Sequence, residues 1–206
     1  MRQGNKVRSS VAVTSAVVFA FALSSLSPAN AGEASKADRG LGIAEEVAAA
    51  EDPETRFESL SASERELFES VTEPVTTEIV GEEVSSSANR ANSISAGCYD
   101  HWQRYEAKAA AGNTVYTWWQ GLRWCHNGTR VTSWNVYDRG GETRTPGWSY
   151  SGRNGQGSRN VGWEIRSYTK EKFSFGVGDF GYSTSECGQI RGGNGRYSVQ
   201  ASCGLS

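Results

Sequence analysis

The chain is poor in the residues that most often carry chemistry. Only two histidines, His101 and His126, stand among its 206 residues, so imidazole acid–base catalysis has few candidates. The four cysteines form no C-x-x-C pair, which removes the usual zinc spacing. Gly181-Tyr182-Ser183 lacks the closing glycine of a nucleophile elbow. Gly192-Gly193-Asn194-Gly195 lacks the lysine and the helix that a phosphate-cradling loop needs. No cofactor and no metal is therefore expected. After residue 31 no apolar run approaches the ~20 residues of a membrane-spanning helix. Cysteine, tryptophan and tyrosine are all absent before Cys98, and this divides the chain in two.

Residues 1–31 have the pattern of a signal peptide. Arg2, Lys6 and Arg8 precede a mostly apolar stretch from Val11 to Leu26, and Ala29-Asn30-Ala31 supplies a cleavage triplet. Export to the outside, with no membrane span left after processing, is the expectation. Residues 32–97 carry 15 acidic and 5 basic side chains, whereas 98–206 carry 8 and 13, ten of the latter arginine. The net charge of −2 conceals these opposed halves. The acidic stretch reads as a pro-segment or linker able to contact the basic module, or else as a solvated tail. Leu41 to Ala50 suits a short helix without an anchor. Ser61 with Glu64 is a capping-box signature for a second helix, with Phe57, Leu60, Leu67, Phe68 and Val71 at helical spacing and Pro74 as its stop. Ser85 to Ala96 has the composition of an exposed linker.

The module 98–206 is expected to be mainly β: a small antiparallel sandwich or barrel built from hairpins, with one N-terminal helix over His101 to Ala111. Two alternating runs between Thr114 and Tyr137 flank Asn127-Gly128, a pair favoured in two-residue hairpin turns. That turn would set Gly121 across from Trp134. A second hairpin is read over Val161 to Tyr182, turning near Thr169–Lys172, and a third at Asn194-Gly195. The third brings Cys203 close to Cys187, so Cys187–Cys203 and Cys98–Cys125 are the favoured disulfides of an exported domain.

In the first hairpin Cys125 shares a face with Trp119, and that face is assigned to the core. The opposite face then offers Tyr116, Trp118, Gln120, Trp124, Asn135 and Tyr137, with Arg139, Arg144, Arg153 and Arg159 at its rim, from a Gly-rich stretch over 139–160 that reads as a mobile basic loop. Aromatic rings beside amides suit stacking on sugars, so glycan or cell-wall polymer is the expected partner. Leu122 and Val131 on the same face favour the competing reading, in which it is core. An excess of +5 in the module is small for nucleic-acid binding, which is not expected. Enzymatic alternatives are a nuclease using Glu164, His126 and an arginine, or a glycosidase drawing a carboxylate pair from Asp138, Glu142, Glu164 and Asp179, either one held inactive by the acidic segment. An inhibitor or antimicrobial protein acting through the Gly/Arg stretch is a third class.

Trp124-Cys125-His126-Asn127-Gly128-Thr129, Val131-Thr132-Ser133, Phe173-Ser174-Phe175 and Gly193-Asn194-Gly195-Arg196-Tyr197-Ser198, with Glu69 to Val75 upstream, resemble small secreted disulfide-containing β proteins of actinobacteria, in the Streptomyces style. The resemblance covers roughly residues 60–206. It implies export and a β fold, and it implies no catalytic residue.

Overall fold

Strands thirteen residues long, joined by short turns, make up most of the chain. The computed structural model describes residues 28–86, 96–177 and 180–206. Most of the expected signal peptide and residues 87–95 of the expected linker lie outside them. Among the described residues three helices, α1 (Pro28–Ala49), α2 (Pro53–Glu58) and α3 (Ala62–Thr72), precede eight strands. These are β1 (Pro74–Ser86), β2 (Gly97–Ala109), β3 (Thr114–His126), β4 (Val131–Thr143), β5 (Trp148–Asn160), β6 (Ile165–Val177), β7 (Phe180–Gly192) and β8 (Tyr197–Gln200). Strands β2 to β6 begin at 97, 114, 131, 148 and 165, a 17-residue repeat of strand plus turn.

Each strand pairs antiparallel with the next, within two four-stranded sheets ordered β1-β2-β3-β4 and β5-β6-β7-β8. The sheets face each other in a sandwich-like arrangement, as a mainly β sequence with alternating apolar positions requires. Cys98 and Cys125 are direct cross-strand partners on β2 and β3, with Cα atoms 4.0 Å apart. Cys187 on β7 bonds Cys203 in the tail beyond β8, 5.3 Å away. Two disulfides and no free cysteine place the protein in an oxidising environment. No helix among the described residues is long and apolar enough to cross a membrane.

The helices are anchored, unlike the free-standing helix expected over Leu41 to Ala50. α1 runs across α3 so closely that a Cβ on Gly40 would lie 2.7 Å from the Leu67 carbonyl oxygen and from Val71. The capping box forms: the Ser61 N–H donates to Glu64 Oε2 at 2.8 Å. Phe68 and Val71 reach the strands, with the Phe68 ring 6.1 Å from that of Phe175. Trp148 Nε1–H donates to the Thr72 carbonyl, and the Asn113 amide to that of Val71, both at 2.9 Å. Strand β1 lies upstream of residue 97, so the first sheet crosses the boundary drawn there from charge.

Four expectations are corrected. His101 to Ala111 is not a helix: His101, Gln103, Tyr105, Ala107 and Ala109 point inward and the residues between them outward, the period of a strand. Residues 148–160 of the Gly-rich stretch form β5, which absorbs its glycines in two bulges, at Tyr150/Gly152 and Arg153/Gly155. Thr169–Lys172 lies in the middle of β6 and does not turn. In the first hairpin His126 pairs with Val131, and two bulges move the register so that Gly121 faces Asp138 and Trp124 faces Trp134. The Asn127 carboxamide oxygen accepts from the Thr129 and Arg130 N–H groups, which shifts the turn towards Gly128-Thr129.

Two apolar clusters fill the space between the sheets. Tyr105, Tyr116, Trp118, Trp148, Phe173 and Phe175 form one beside the helices. Leu122, Trp124, Val131, Ile165 and Ile190 form the other at the turn end. Burial of such side chains contributes ~1.5–3 kcal/mol each. A polar band separates them: Gln120, Ser167, Thr169, Glu171 and Gln189 are all fully buried.

Candidate functional site

The assignment of faces on β3 is reversed by the structure. Tyr116, Trp118, Gln120 and Trp124 point between the sheets and have no accessible surface to speak of. The reason is that β2 and β3 stack their large inward rings in pairs, Tyr105 on Trp118 at 5.4 Å and Tyr99 on Trp124 at 5.7 Å. The cross-strand disulfide sits on the outer face of β3, the face that also carries Trp119. Burial pushes the Tyr105 and Tyr116 phenols well above their ordinary values, and Tyr116 is held further up by Glu186, whose Oε1 accepts its O–H at 3.0 Å.

The other four residues singled out from the sequence do not join one surface. Tyr137 lies outside, at a bulge, with its ring over the bare backbone of Gly121. Asn135 and Arg139 are at the edge of the sandwich. Arg144 sits in the β4–β5 turn, with Nη2 2.5 Å from Glu142 Oε1. The aromatic residues of the outer face are occupied among themselves: Trp102 Nε1–H donates to Asp138 at 2.8 Å, Arg104 lies 5.6 Å over the Trp102 ring, and the Trp119 ring covers Gly140.

The residues weighed for catalysis are engaged locally. His126 is buried, and its Nδ1 accepts the Gly128 N–H at 2.9 Å, holding the turn; burial lowers its pKa. Glu164 pairs with Arg166 at 2.7 Å. Asp138 and Glu142 lie on the outer side of β4, paired with Gly121 and Thr117. Asp179 is outside the described residues. No cluster of three or more metal-ligating side chains occurs among the described residues.

Hollows mark the surface of the described residues. One, about 470 Å³, opens at the turn end and is lined by Trp163, Glu164, Arg191, Asn194, Arg196 and Tyr197, with the Gly193 backbone and Ser198. Three turns are tied together around it. Asn194 Nδ2–H donates to the Gly128 carbonyl at 3.0 Å, and the Val131 N–H to that of Gly162 at 2.7 Å. Gly162 and Gly195 adopt φ of +94° and +66°, which turns this tight demand. Trp124 Nε1–H fixes the Gly193 carbonyl at 2.9 Å from beneath. Trp163 is 60% exposed and Tyr197 37%, the latter stacked on His101 at 4.0 Å. Arg191 is aimed by Gln189 Oε1, which accepts its Nε–H at 2.7 Å. A wide, shallow hollow with two part-exposed rings, two guanidiniums and an amide can stack on an apolar ring face and hydrogen-bond its substituents.

Comparison with protein-family models, with curated proteins and with solved structures finds no match. Function must therefore come from the geometry.

The second hollow, about 300 Å³, lies between the β4 and β5 edges, where the polar band reaches the surface. Of the residues expected at a site, Asn135 and Arg139 line this hollow with Arg153, Gln156, Ser158 and Ser167, while Gln120, the cross-strand partner of Arg139, is fully buried. Trp163 was not singled out as a ring at a site, and Arg153 only as one of the arginines of the Gly-rich stretch. The Val161-Gly162-Trp163-Glu164 run reads as strand by alternation, yet it is the β5–β6 turn, closed by the Val161 N–H on the Glu164 carbonyl at 2.9 Å.

Proposed function

We propose that the protein is an exported, non-enzymatic binding module for cell-wall or environmental glycan, and that it meets the glycan at the turn-end hollow. The leader composition and the disulfides support export. The observation that carries the binding reading is Trp163, the most exposed large apolar side chain described, standing beside Tyr197, Asn194 and two arginines in a concave surface. A buried core has no use for a ring held so far out of it, whereas the C–H face of a sugar does. The rings supply the platform, and Asn194, Arg191, Arg196 and Glu164 hydrogen-bond the hydroxyls around it. Their arrangement on interlocked turns preorganises the surface, so little ordering cost falls on binding.

The test is co-sedimentation of a Trp163→Ala/Tyr197→Ala variant with the insoluble glycan that retains the parent protein. Two rings at ~0.5–1.5 kcal/mol each beyond their contact area predict a loss of about tenfold in affinity, in a variant that still unfolds cooperatively although it lacks the Tyr197 stack on His101. Full retention by the folded variant would remove this reading.

A further inference from the structure

Ile165, Ser167 and Thr169 of β6 are fully buried between the sheets, so Arg166 among them points outward. The register sets Arg159 of β5 directly beside it on one flank and Arg191 of β7 on the other. Three arginines therefore occupy neighbouring positions across three strands, roughly 5 Å apart at the backbone. Like charges opposed in this way destabilise a sheet, and stability alone gives no reason to keep them. On the first sheet the matching cross-strand pair is of opposite sign, Asp100 with Arg123 at 2.6 Å.

The row is aimed as well as aligned. Glu164 Oε1 accepts the Arg166 Nε–H and Gln189 Oε1 the Arg191 Nε–H, both at 2.7 Å, so these two side chains are held at Nε and present their Nη ends. The Nη ends of all three converge on one short stretch of backbone. Arg159 Nη1 and Arg166 Nη1 both donate to the Leu205 main-chain oxygen, at 3.5 and 3.3 Å, and Arg191 Nη2 donates to that of Ser206 at 3.3 Å. Charge-assisted bonds run to roughly 2.7–2.9 Å, so these contacts gather the guanidiniums without engaging them fully. Arg159 is exposed, and Arg166 and Arg191 are part-exposed, so the row is open to a ligand. Glu164 is the one carboxylate side chain paired with it among the described residues. Three guanidiniums against one carboxylate leave an excess of two positive charges.

We infer that Arg159, Arg166 and Arg191 bind a phosphate group on the outer face of the second sheet, either free phosphate or the monoester of a sugar. A phosphate monoester carries roughly −1.5 to −2 at pH 7, which answers the excess that the row leaves. Its three terminal oxygens can accept from three side chains at once, whereas a carboxylate offers two oxygens in one plane and a single charge. The planar guanidinium fork suits such an oxyanion, and the backbone contacts leave N–H groups on each arginine to meet it. Arg191 and its cross-strand partner Ser198 also line the turn-end hollow, so a sugar monoester would direct its ring towards Trp163. The assignment stands without the glycan reading, because free phosphate meets the same three guanidiniums.

Calorimetric titration of the full chain with inorganic phosphate, D-glucose 6-phosphate and acetate, at one ionic strength, tests it. Saturable binding of both phosphates is expected, with acetate at least about tenfold weaker. Tighter binding of D-glucose 6-phosphate than of inorganic phosphate would make the ligand a sugar monoester, and binding no tighter would make it free phosphate. Arg159→Gln and Arg191→Gln should each weaken inorganic phosphate by about tenfold or more with unchanged near-UV circular dichroism. Lys172→Gln, on the same face farther along β6 and opposite Ser185, should leave the affinity unaltered. No saturable binding of inorganic phosphate, acetate binding as tight, or unchanged affinity in both arginine variants would overturn the proposal. A loss in Lys172→Gln as large as in Arg159→Gln would overturn it too, because binding would then follow the net charge of the face.

Discussion

Replacing Thr169 by valine removes one hydroxyl and keeps the outline of the side chain. Thr169 lies in the middle of β6, fully buried, its backbone held in ladders to Gln156 on β5 and Gly188 on β7. The Oγ1 atom has no partner within the protein. In the unfolded chain that hydroxyl bonds water, so folding forfeits the bond and gains nothing in return. An unmade buried hydrogen bond costs about 1–3 kcal/mol, and valine adds a buried methyl and a slightly better strand former. Thr169→Val should therefore raise stability by about 1 kcal/mol, or about 2–4 °C in Tm for a chain of this size. The assay is thermal and urea unfolding of the oxidised protein followed by near-UV circular dichroism, with equal urea dependence in both variants. A loss of 1 kcal/mol or more would refute the reasoning, since it would mean that the hydroxyl is already satisfied and the polar band is a closed network.

Three further outcomes follow from the packing. Cys98→Ser/Cys125→Ser opens a cross-link between residues 27 apart in sequence, and the chain-entropy estimate gives a loss of about 3.5 kcal/mol, read as a lower urea midpoint. Gly40→Ala inserts a methyl 2.7 Å from the Leu67 carbonyl and Val71, and should cost about 1–3 kcal/mol by pushing α1 off α3; an unchanged melt would contradict the close approach. Tyr105, Tyr116, Tyr150 and Tyr182 have phenols raised by burial, so the stability they contribute is intact below the ordinary tyrosine pKa of about 10 and is lost as pH climbs above it. Tyrosinate absorbance should appear together with loss of near-UV signal above pH ~10; ionisation of these phenols in a folded protein would contradict their burial.

Local chemistry was readable where it acts over a few residues. Ser61 with Glu64 marks the start of α3, and Asn194-Gly195 fixes the β7–β8 register, in which Gly192 pairs with Tyr197. Cys203 still reaches Cys187 because the chain leaves the ladder after Gln200. Two kinds of signal misled. Trp102, Tyr105 and Ala109 fit a helical spacing as well as a strand, and only pairing with β1 and β3 decides between them. Glycines at 141, 152, 155 and 157 suggest a loop, yet Gly141 lies under the Phe173 and Tyr150 rings and Gly157 under that of Tyr168, so they serve close packing and bulges within strands. The site was partly visible. Asn135 and Arg139 of the second hollow were found through the hairpin, but with the faces reversed, since a disulfide on the outer side of a sheet carries no mark in sequence. Arg153 and Gln156 sit on a strand hidden by its glycines, and Trp163 on a turn disguised as alternation.

The measurement that bears most directly on the account is retention of the protein on insoluble peptidoglycan, chitin and cellulose at low and high salt. Stacking on Trp163 and Tyr197 predicts retention on one polymer that persists at high salt, because ring contacts are not screened. Retention lost at high salt, or none on any polymer, would contradict glycan binding at the turn-end hollow.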